Sequence, residues 1–180
     1  TPQDWIDFDR VKKDDIPVIQ RFSGGGTVFV DYNTLFATFV INKEALNIEP
    51  FPRPILQWSA KFYNEALGIE NLKLAENDYV IGNKKIGGNA QYLRRNRWLH
   101  HTTFLYDFDS DNMSYLLHPK RQPKYRKERT HKDFLTTLNP HLKKDEFFTK
   151  VIKHLRTQFE VRNANIPVSF PEHRMTTTLI

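Results

Sequence analysis

Three of the chain's seven glycines stand together at Gly24, Gly25 and Gly26, in the run Arg21-Phe22-Ser23-Gly24-Gly25-Gly26-Thr27-Val28-Phe29-Val30-Asp31. Glycine gives up more backbone entropy on folding than any other residue, so such a run implies a turn that needs positive φ or a main chain lying against a ligand. Arg21, just ahead of it, carries a permanent cation with a fork of donors, suited to a phosphate or carboxylate resting on bare amides. Taken alone, the stretch fits equally a tight hairpin between residues 17–22 and 27–30. A second cluster, Lys84-Lys85-Ile86-Gly87-Gly88-Asn89-Ala90, again sets cations beside glycines, with Asn77-Asp78 shortly upstream. Two such clusters favour an anionic ligand over two unrelated turns.

These groups need strands to hold them. Residues 16–22 and 27–30 are rich in β-branched and aromatic side chains and predict strands around the glycine turn. Residues 35–41 form a nearly continuous apolar run, expected to be a strand covered on both faces. Pro50, Pro52 and Pro54 then break the chain, and Pro54 suits the first turn of a helix. From there Ile55, Trp58, Phe62, Tyr63 and Ala66 recur at helical spacing, with Gly68 as the stop. Residues 72–74 and 79–81 resume strand character, and Gly82-Asn83 folds Lys84-Lys85-Ile86 back against them. Residues 89–95 and 98–108 predict further strands, and 109–117 a short helix. Thr130 is expected to cap a helix through Leu138, and Asp145 another bearing Phe148, Val151, Ile152, Leu155 and Phe159 on one face. Residues 1–15 read as a loop or short helix, and 174–180 as an edge strand.

The totals narrow the function classes. At 180 residues one domain is expected, able to bury roughly 70% of its unfolded surface. The absence of cysteine excludes disulfides, thiolate metal sites and a cysteine nucleophile. A formal charge of +6 and a pI near 9.5 favour an anionic partner, whether nucleotide, acidic protein or nucleic acid. No apolar run approaches the ~20 residues of a membrane span and no signal peptide is visible, so an intracellular place, cytoplasmic or mitochondrial, is expected. The chain opens on Thr1 without a methionine, and an incomplete amino end is expected. Neither G-x-x-x-x-G-K-[ST] nor G-x-G-x-x-G occurs, which leaves P-loop and Rossmann enzymes without support.

Taken in order, residues 21–31, Asn77-Asp78, Lys85-Ile86-Gly87-Gly88-Asn89-Ala90 and Trp98-Leu99-His100-His101-Thr102 resemble the motifs of the lipoate-protein ligase and biotin-protein ligase superfamily. The likeness is closest to the lipoate-protein ligase A-like branch. It implies an α+β fold, a mixed, largely antiparallel sheet flanked by helices and similar to class II aminoacyl-tRNA synthetases. One catalytic domain over residues 1–180 is expected, with no obvious accessory carboxyl-terminal domain. The activity implied is ATP-dependent conversion of lipoic or octanoic acid to an acyl-adenylate. Transfer then goes to a lysine of a lipoyl carrier domain or a glycine cleavage H-type protein. Related acyltransferases pass the acyl group through a cysteine thioester, a route closed to this chain.

By the same resemblance Lys85 is the catalytic residue, set between the acyl carbonyl oxygen and the phosphate. Arg21, Ser23, Gly24, Gly25, Gly26, Thr27, Gly87, Gly88, Asn89, Ala90 and His101 are implied to bind the acyl-adenylate. Asn77 and Asp78 face ATP and Mg2+, with Asp78 as the metal ligand. His100 and His101 cannot pair on one ion, because adjacent strand residues point to opposite faces. One of them is expected to line the acyl pocket and the other to be structural. Gln20 stands where the family commonly has a second arginine, and Val30 where it often has a histidine.

Three other readings compete. One is a catalytically weakened acyl-binding or carrier-interaction module, consistent with Gln20 and Val30. A biotin-protein ligase is disfavoured by Phe22-Ser23-Gly24-Gly25-Gly26. A nucleic-acid binder using residues 120–132, with Tyr125 stacked on a base, ranks last, because charge runs are usually solvated surface.

Overall fold

A computed structural model of the chain describes residues 2–118, 122–165 and 178–179. Strict alternation sets the main sheet. In β6 (Arg97–Leu105) the buried residues are Trp98, His100, Thr102 and Phe104, while Leu99, His101, Thr103 and Leu105 point to the other face. This strand pairs antiparallel with β2 (Thr34–Asn42) on one side and β5 (Lys84–Leu93) on the other. With β4 (Asp78–Ile81) and β3 (Leu72–Ala75) the spatial order is β2-β6-β5-β4-β3. Every pairing in this five-stranded sheet is antiparallel, so the expected α+β class holds without the mixed pairing. The turn at Gly82-Asn83 joins β4 to β5 as expected.

Helices cover one face of the sheet. In α2 (Pro52–Leu67) Pro52 and Pro54 occupy the first turn, and Gly68, at φ 63°, closes the helix with its N–H on the Asn64 carbonyl. Its stripe of Ile55, Leu56, Ser59, Phe62, Tyr63 and Leu67 is buried. The second covering helix, α4 (Lys144–Gln158), packs on α2. Its first turn is fastened by Glu146 Oε2 accepting the Lys143 N–H at 2.8 Å, and Asp145 is not the cap. Its inward face is Phe147, Val151 and Leu155, so Val151 and Leu155 of the expected stripe turn inward, whereas Phe148 and Ile152 are over 40% exposed and Phe147 takes the inward place. At the centre Tyr63 meets Phe104 edge-on at 4.8 Å, and Phe104 meets Phe147 at 5.4 Å.

Several predicted elements are shorter. Residues 16–22 retain only β1 (Ile19–Gln20), which pairs with β7 (Thr178–Leu179) in a separate ribbon, and residues 27–30 form no strand. The rest of the expected strand over 174–180 lies outside the described residues. Near the amino end α1 (Phe8–Lys13) is capped by Asp7, and residues 109–117 hold only a 3-10 turn at Asn112–Tyr115. Thr130 does cap α3 (His131–Phe134), but this helix stops early because Leu135 leaves it to bridge to Lys85. No helix among the described residues is long and apolar enough to cross a membrane.

The opposite face of the sheet is left to loops. β2 is an edge strand rather than one covered on both faces, and Phe36 and Val40 are 44% and 61% exposed. Cross-strand register places Phe36 beside Thr103, Thr38 beside His101, and Val40 beside Leu99. On the other flank Gly88, Ala90 and Tyr92 are the partners of those same β6 residues.

His100, on the core face, sits in a polar chain. The Gln91 amide donates to its Nδ1 at 3.1 Å, its Nε2 lies 2.9 Å from Tyr79 Oη, and that hydroxyl lies 2.6 Å from Ser59 Oγ. Burial, with the neighbouring His101 adding to it, pushes His100 down from 6.5 to about 4. The folded protein therefore binds fewer protons than the unfolded chain between these values, and stability is lost as pH falls through that window. One such group gives a slope of at most about 1.4 kcal/mol per pH unit. Denaturant unfolding at pH 7 and pH 5 should show a smaller loss for His100→Gln than for the native chain. An identical pH dependence would contradict the assignment.

Candidate active site

Alternation alone would put Lys85 on the face opposite Gly88 and Ala90. A β-bulge changes this. Tyr79 pairs with Gly87 but the adjacent Val80 pairs with Lys85, so Ile86 is an extra residue on β5. Ile86 and Gly87 are consequently both buried, and Lys85 emerges on the open side, where a Cβ on Gly88 would lie 3.4 Å from its Nζ. The Lys85 carbonyl accepts the Thr136 N–H at 2.8 Å, with Leu135 running parallel beside it.

The ammonium is held by Asp78. Lys85 Nζ lies 2.8 Å from Asp78 Oδ1, with side chains 27% and 13% exposed. The other carboxylate oxygen, Oδ2, accepts the Tyr125 hydroxyl at 2.8 Å. Burial, followed by the charges of Asp78 and Glu76, pushes the Tyr125 phenol up, so it stays protonated and donates. Tyr125 is fixed in turn by its N–H on Glu76 Oε1 at 3.2 Å and by its ring against Phe134 at 5.2 Å.

Over the open sheet face lies the glycine loop. It is not a hairpin turn. Arg21 Nη2 donates to the Gly26 carbonyl at 2.7 Å and closes the loop on itself. Gly25 has φ 128°, and a Cβ there would stand 2.7 Å from Arg21 Nη2 and 3.2 Å from the Asn89 carbonyl, so glycine is required by close approach to β5. Phe22 anchors the loop edge-on against Tyr92 at 5.0 Å. Added Cβ atoms on Gly24 and Gly26 meet nothing within 4 Å, which leaves both main-chain positions open. Half-buried Ser23 and exposed Thr27 flank them. Arg21 Nε is buried without a hydrogen-bond partner, and among the described residues Arg21 makes no ion pair. A buried orphan donor on a cation beside bare amides fits an anion.

The remaining expected residues divide. Ala90 and His101 are on the open face; His101 Nδ1 lies 2.6 Å from Thr38 Oγ1, and burial, with Arg21 second, lowers its pKa. Asn89 reaches across to donate to the Asn77 carbonyl, so Asn77 joins the site by its main chain in the turn between β3 and β4. Gly87 points into the core instead, where a Cβ would collide at 2.8 Å with the Phe104 ring and the Thr103 carbonyl. Among the described residues no three His, Cys, Asp or Glu side chains converge on a metal position.

Tyr125 was missed as a site residue. Singled out only as a base-stacking residue in the reading that ranks last, it is committed by hydroxyl and ring to Asp78 and Phe134, while Arg126 and Arg129 donate to each other's carbonyls. Its partner Asp78 lies 47 positions away, and the only signal in the sequence was a single aromatic within a basic segment next to a proline. A double-mutant cycle of Tyr125→Phe and Asp78→Asn, read by denaturant unfolding, should show coupling of about 1–2 kcal/mol. Additive effects would deny the bond any energetic role.

The family described as the lipoyl protein ligase A/B catalytic domain matches residues 1–160. The chain is 30% identical to inactive lipoate–protein ligase 2 of Plasmodium falciparum, over 87% of this chain and 51% of that protein. It is 29% identical to lipoate-protein ligase LplJ of Bacillus subtilis, over 93% of this chain and 41% of that protein. The chain thus spans about half the length, or less, of these relatives. The structure of a bi-partite lipoate protein ligase and its E2 lipoyl domain from Thermoplasma acidophilum has the same fold. Its TM-score is 0.70 at 22% identity, covering 92% of this chain and 68% of that one. A lipoate-protein ligase A bound with ATP gives 0.68 at 19% identity, covering 93% and 69%. By its ordered motifs, its sheet and the family match, the chain belongs to the lipoyl protein ligase A/B catalytic domains.

Proposed function

We propose that this domain forms an acyl-adenylate from lipoic or octanoic acid and ATP and passes the acyl group to a lysine of a lipoyl carrier domain or glycine cleavage H-type protein. The observation that carries the reading is Lys85, clamped by Asp78 with its ammonium against Gly88, on the strand that the glycine loop approaches at Gly25. The acid's carboxylate attacks the α-phosphorus and pyrophosphate departs, with no protein nucleophile needed. Such a displacement is catalysed mainly by positioning and charge. An ammonium between the acyl carbonyl oxygen and the phosphate stabilises the charge that builds on both, and again when the carrier's amine attacks the carbonyl. Arg21, Gly24, Gly25 and Gly26 receive the phosphate side, and Gly88, Ala90 and His101 form the floor. Relatives bearing the name lipoate-protein ligase support the reading, as do neighbours solved with ATP, with lipoic acid and with an E2 lipoyl domain. The basic charge suits an acidic carrier. A cytoplasmic or mitochondrial place suits an enzyme fed by ATP.

Mg2+ fits the donor set. It keeps several waters and takes one or two carboxylates plus substrate phosphates, and each Asp78 oxygen has a lone pair left beyond its bond to Lys85 or Tyr125. Asp78, with Asn77 beside it, would hold the ion, which supplies neutralisation of phosphate charge.

A second reading, an acyl-binding module without adenylate chemistry, is favoured by Gln20, by Val30 and by the inactive Plasmodium relative. ATP–pyrophosphate exchange separates the two. Lipoate or octanoate, but not biotin, should stimulate exchange, and Lys85→Ala should lower it by about 100-fold or more. Binding of an acid without any exchange would establish the module instead.

A further inference from the structure

The open sheet face continues past the residues that the adenylate reading uses. Two positions beyond Ala90, His101 and Thr38, the register brings Tyr92, Leu99 and Val40 side by side across three strands. Phe22 of the glycine loop leans edge-on against Tyr92, and together they line a groove of about 300 Å³. Its walls are apolar, but Arg94, in the turn after β5, and Arg97, at the start of β6, line it as well. The Arg94 guanidinium lies 4.9 Å from the centre of the Tyr92 ring, which holds it beside the groove. Among the described residues neither arginine makes an ion pair. An apolar trough with two unpaired guanidinium groups at its edge suits a hydrocarbon chain that ends in an anion.

An acyl chain has one favourable way out of the reacting centre. Toward the start of β5 the surroundings of Lys85 are the Asp78 carboxylate, the Tyr125 hydroxyl and the Leu135-Thr136 main chain, a polar wall that methylenes would desolvate at a cost. In the other direction lie Ala90 and then the apolar groove. At a rise of about 3.3 Å per strand residue, Tyr92 stands about 13 Å beyond Gly88. An extended eight-carbon acid, with carbon–carbon bonds of about 1.5 Å in a zigzag, spans about 9 Å. Its last carbons therefore enter the groove, and its far end meets Arg94 and Arg97. A terminal methyl leaves both guanidinium groups to water. A terminal carboxylate pairs with them at an exposed rim, where it stays partly hydrated and avoids the penalty of a buried charge. Resting on the adenylate reading above, we propose that this face takes straight-chain α,ω-dicarboxylic acids of about eight carbons, one carboxylate reacting at Lys85 and the other held by Arg94 and Arg97. The reacting carboxylate oxygen bonds to the α-phosphorus as the bond from that phosphorus to the bridging oxygen breaks, and the electron pair leaves on pyrophosphate. The second carboxylate is unchanged.

Octanoate and suberate are equal in length and differ only at the far end, so ATP–pyrophosphate exchange with the two acids tests this. Both should stimulate exchange by the native chain. The double variant Arg94→Gln, Arg97→Gln should lower kcat/KM for suberate by about 5-fold or more while leaving octanoate within about 2-fold. Arg97→Glu, which places a like charge beside the far carboxylate, should lower suberate without lowering octanoate. Exchange with octanoate but none with suberate overturns the proposal and leaves the ligase reading standing. An unchanged suberate value in the double variant, or an equal loss for both acids, also overturns it. Exchange with neither acid removes the ligase reading and the dicarboxylate proposal with it.

Discussion

The structure depends on one ion pair placed by one extra residue. Ile86 inserts a bulge into β5, and the bulge turns Lys85 out of the core side and onto the glycine face. There a flexible stem would wander, at the expense of rotamer entropy whenever it had to be placed. The mostly buried Asp78 carboxylate removes that freedom at 2.8 Å. Everything around the pair serves to keep it there: Tyr125 holds the second carboxylate oxygen, Glu76 and Phe134 hold Tyr125, and Leu135-Thr136 brace the Lys85 main chain. Deep anchoring comes from Phe104, wedged between Gly87, Tyr63 and Phe147, which locks the bulged part of β5 to the helical layer.

Division of labour between the two sheet faces follows from the same strand. β6 spends Trp98, His100, Thr102 and Phe104 on the core and leaves Leu99, His101 and Thr103 for the open side. The adjacent histidines thus have different lives: one neutral and enclosed by Tyr79 and Gln91, the other facing Thr38 and the Arg21 loop. Glycines likewise serve different ends. Gly87 makes room for an aromatic ring, Gly25 lets the loop touch β5, and Gly24, Gly26 and Gly88 leave backbone uncovered.

Much of this was legible in the residues. The α2 stripe and its Gly68 stop stood out because a long, strongly periodic helix writes both signals into its sequence. Lys85, Asp78 and the glycines were found by motif order, and the structure brings Lys85, Asp78, Gly88 and the Arg21 loop to one side of the sheet. What stayed hidden depends on tertiary register. The bulge at Ile86 leaves no compositional mark. β2 carries apolar residues on both faces, so alternation could not reveal that Phe36 and Val40 border an open surface. Tyr125 looked like surface because its partner lies 47 positions away, and strands were expected on both sides of the glycine run because local propensity cannot see β5 approaching Gly25.

The central claim is that the glycine face under Lys85 is where the reacting carbonyl and phosphate meet. Its most direct test is a crystal structure of the chain with a non-hydrolysable lipoyl- or octanoyl-adenylate. The account predicts the linking group over Gly88, with Lys85 Nζ within about 3.2 Å of both the acyl carbonyl oxygen and the phosphate surrogate, and the Arg21 loop closed above it. A ligand bound elsewhere, or bound there with Lys85 still turned to Asp78 and touching neither oxygen, would contradict it.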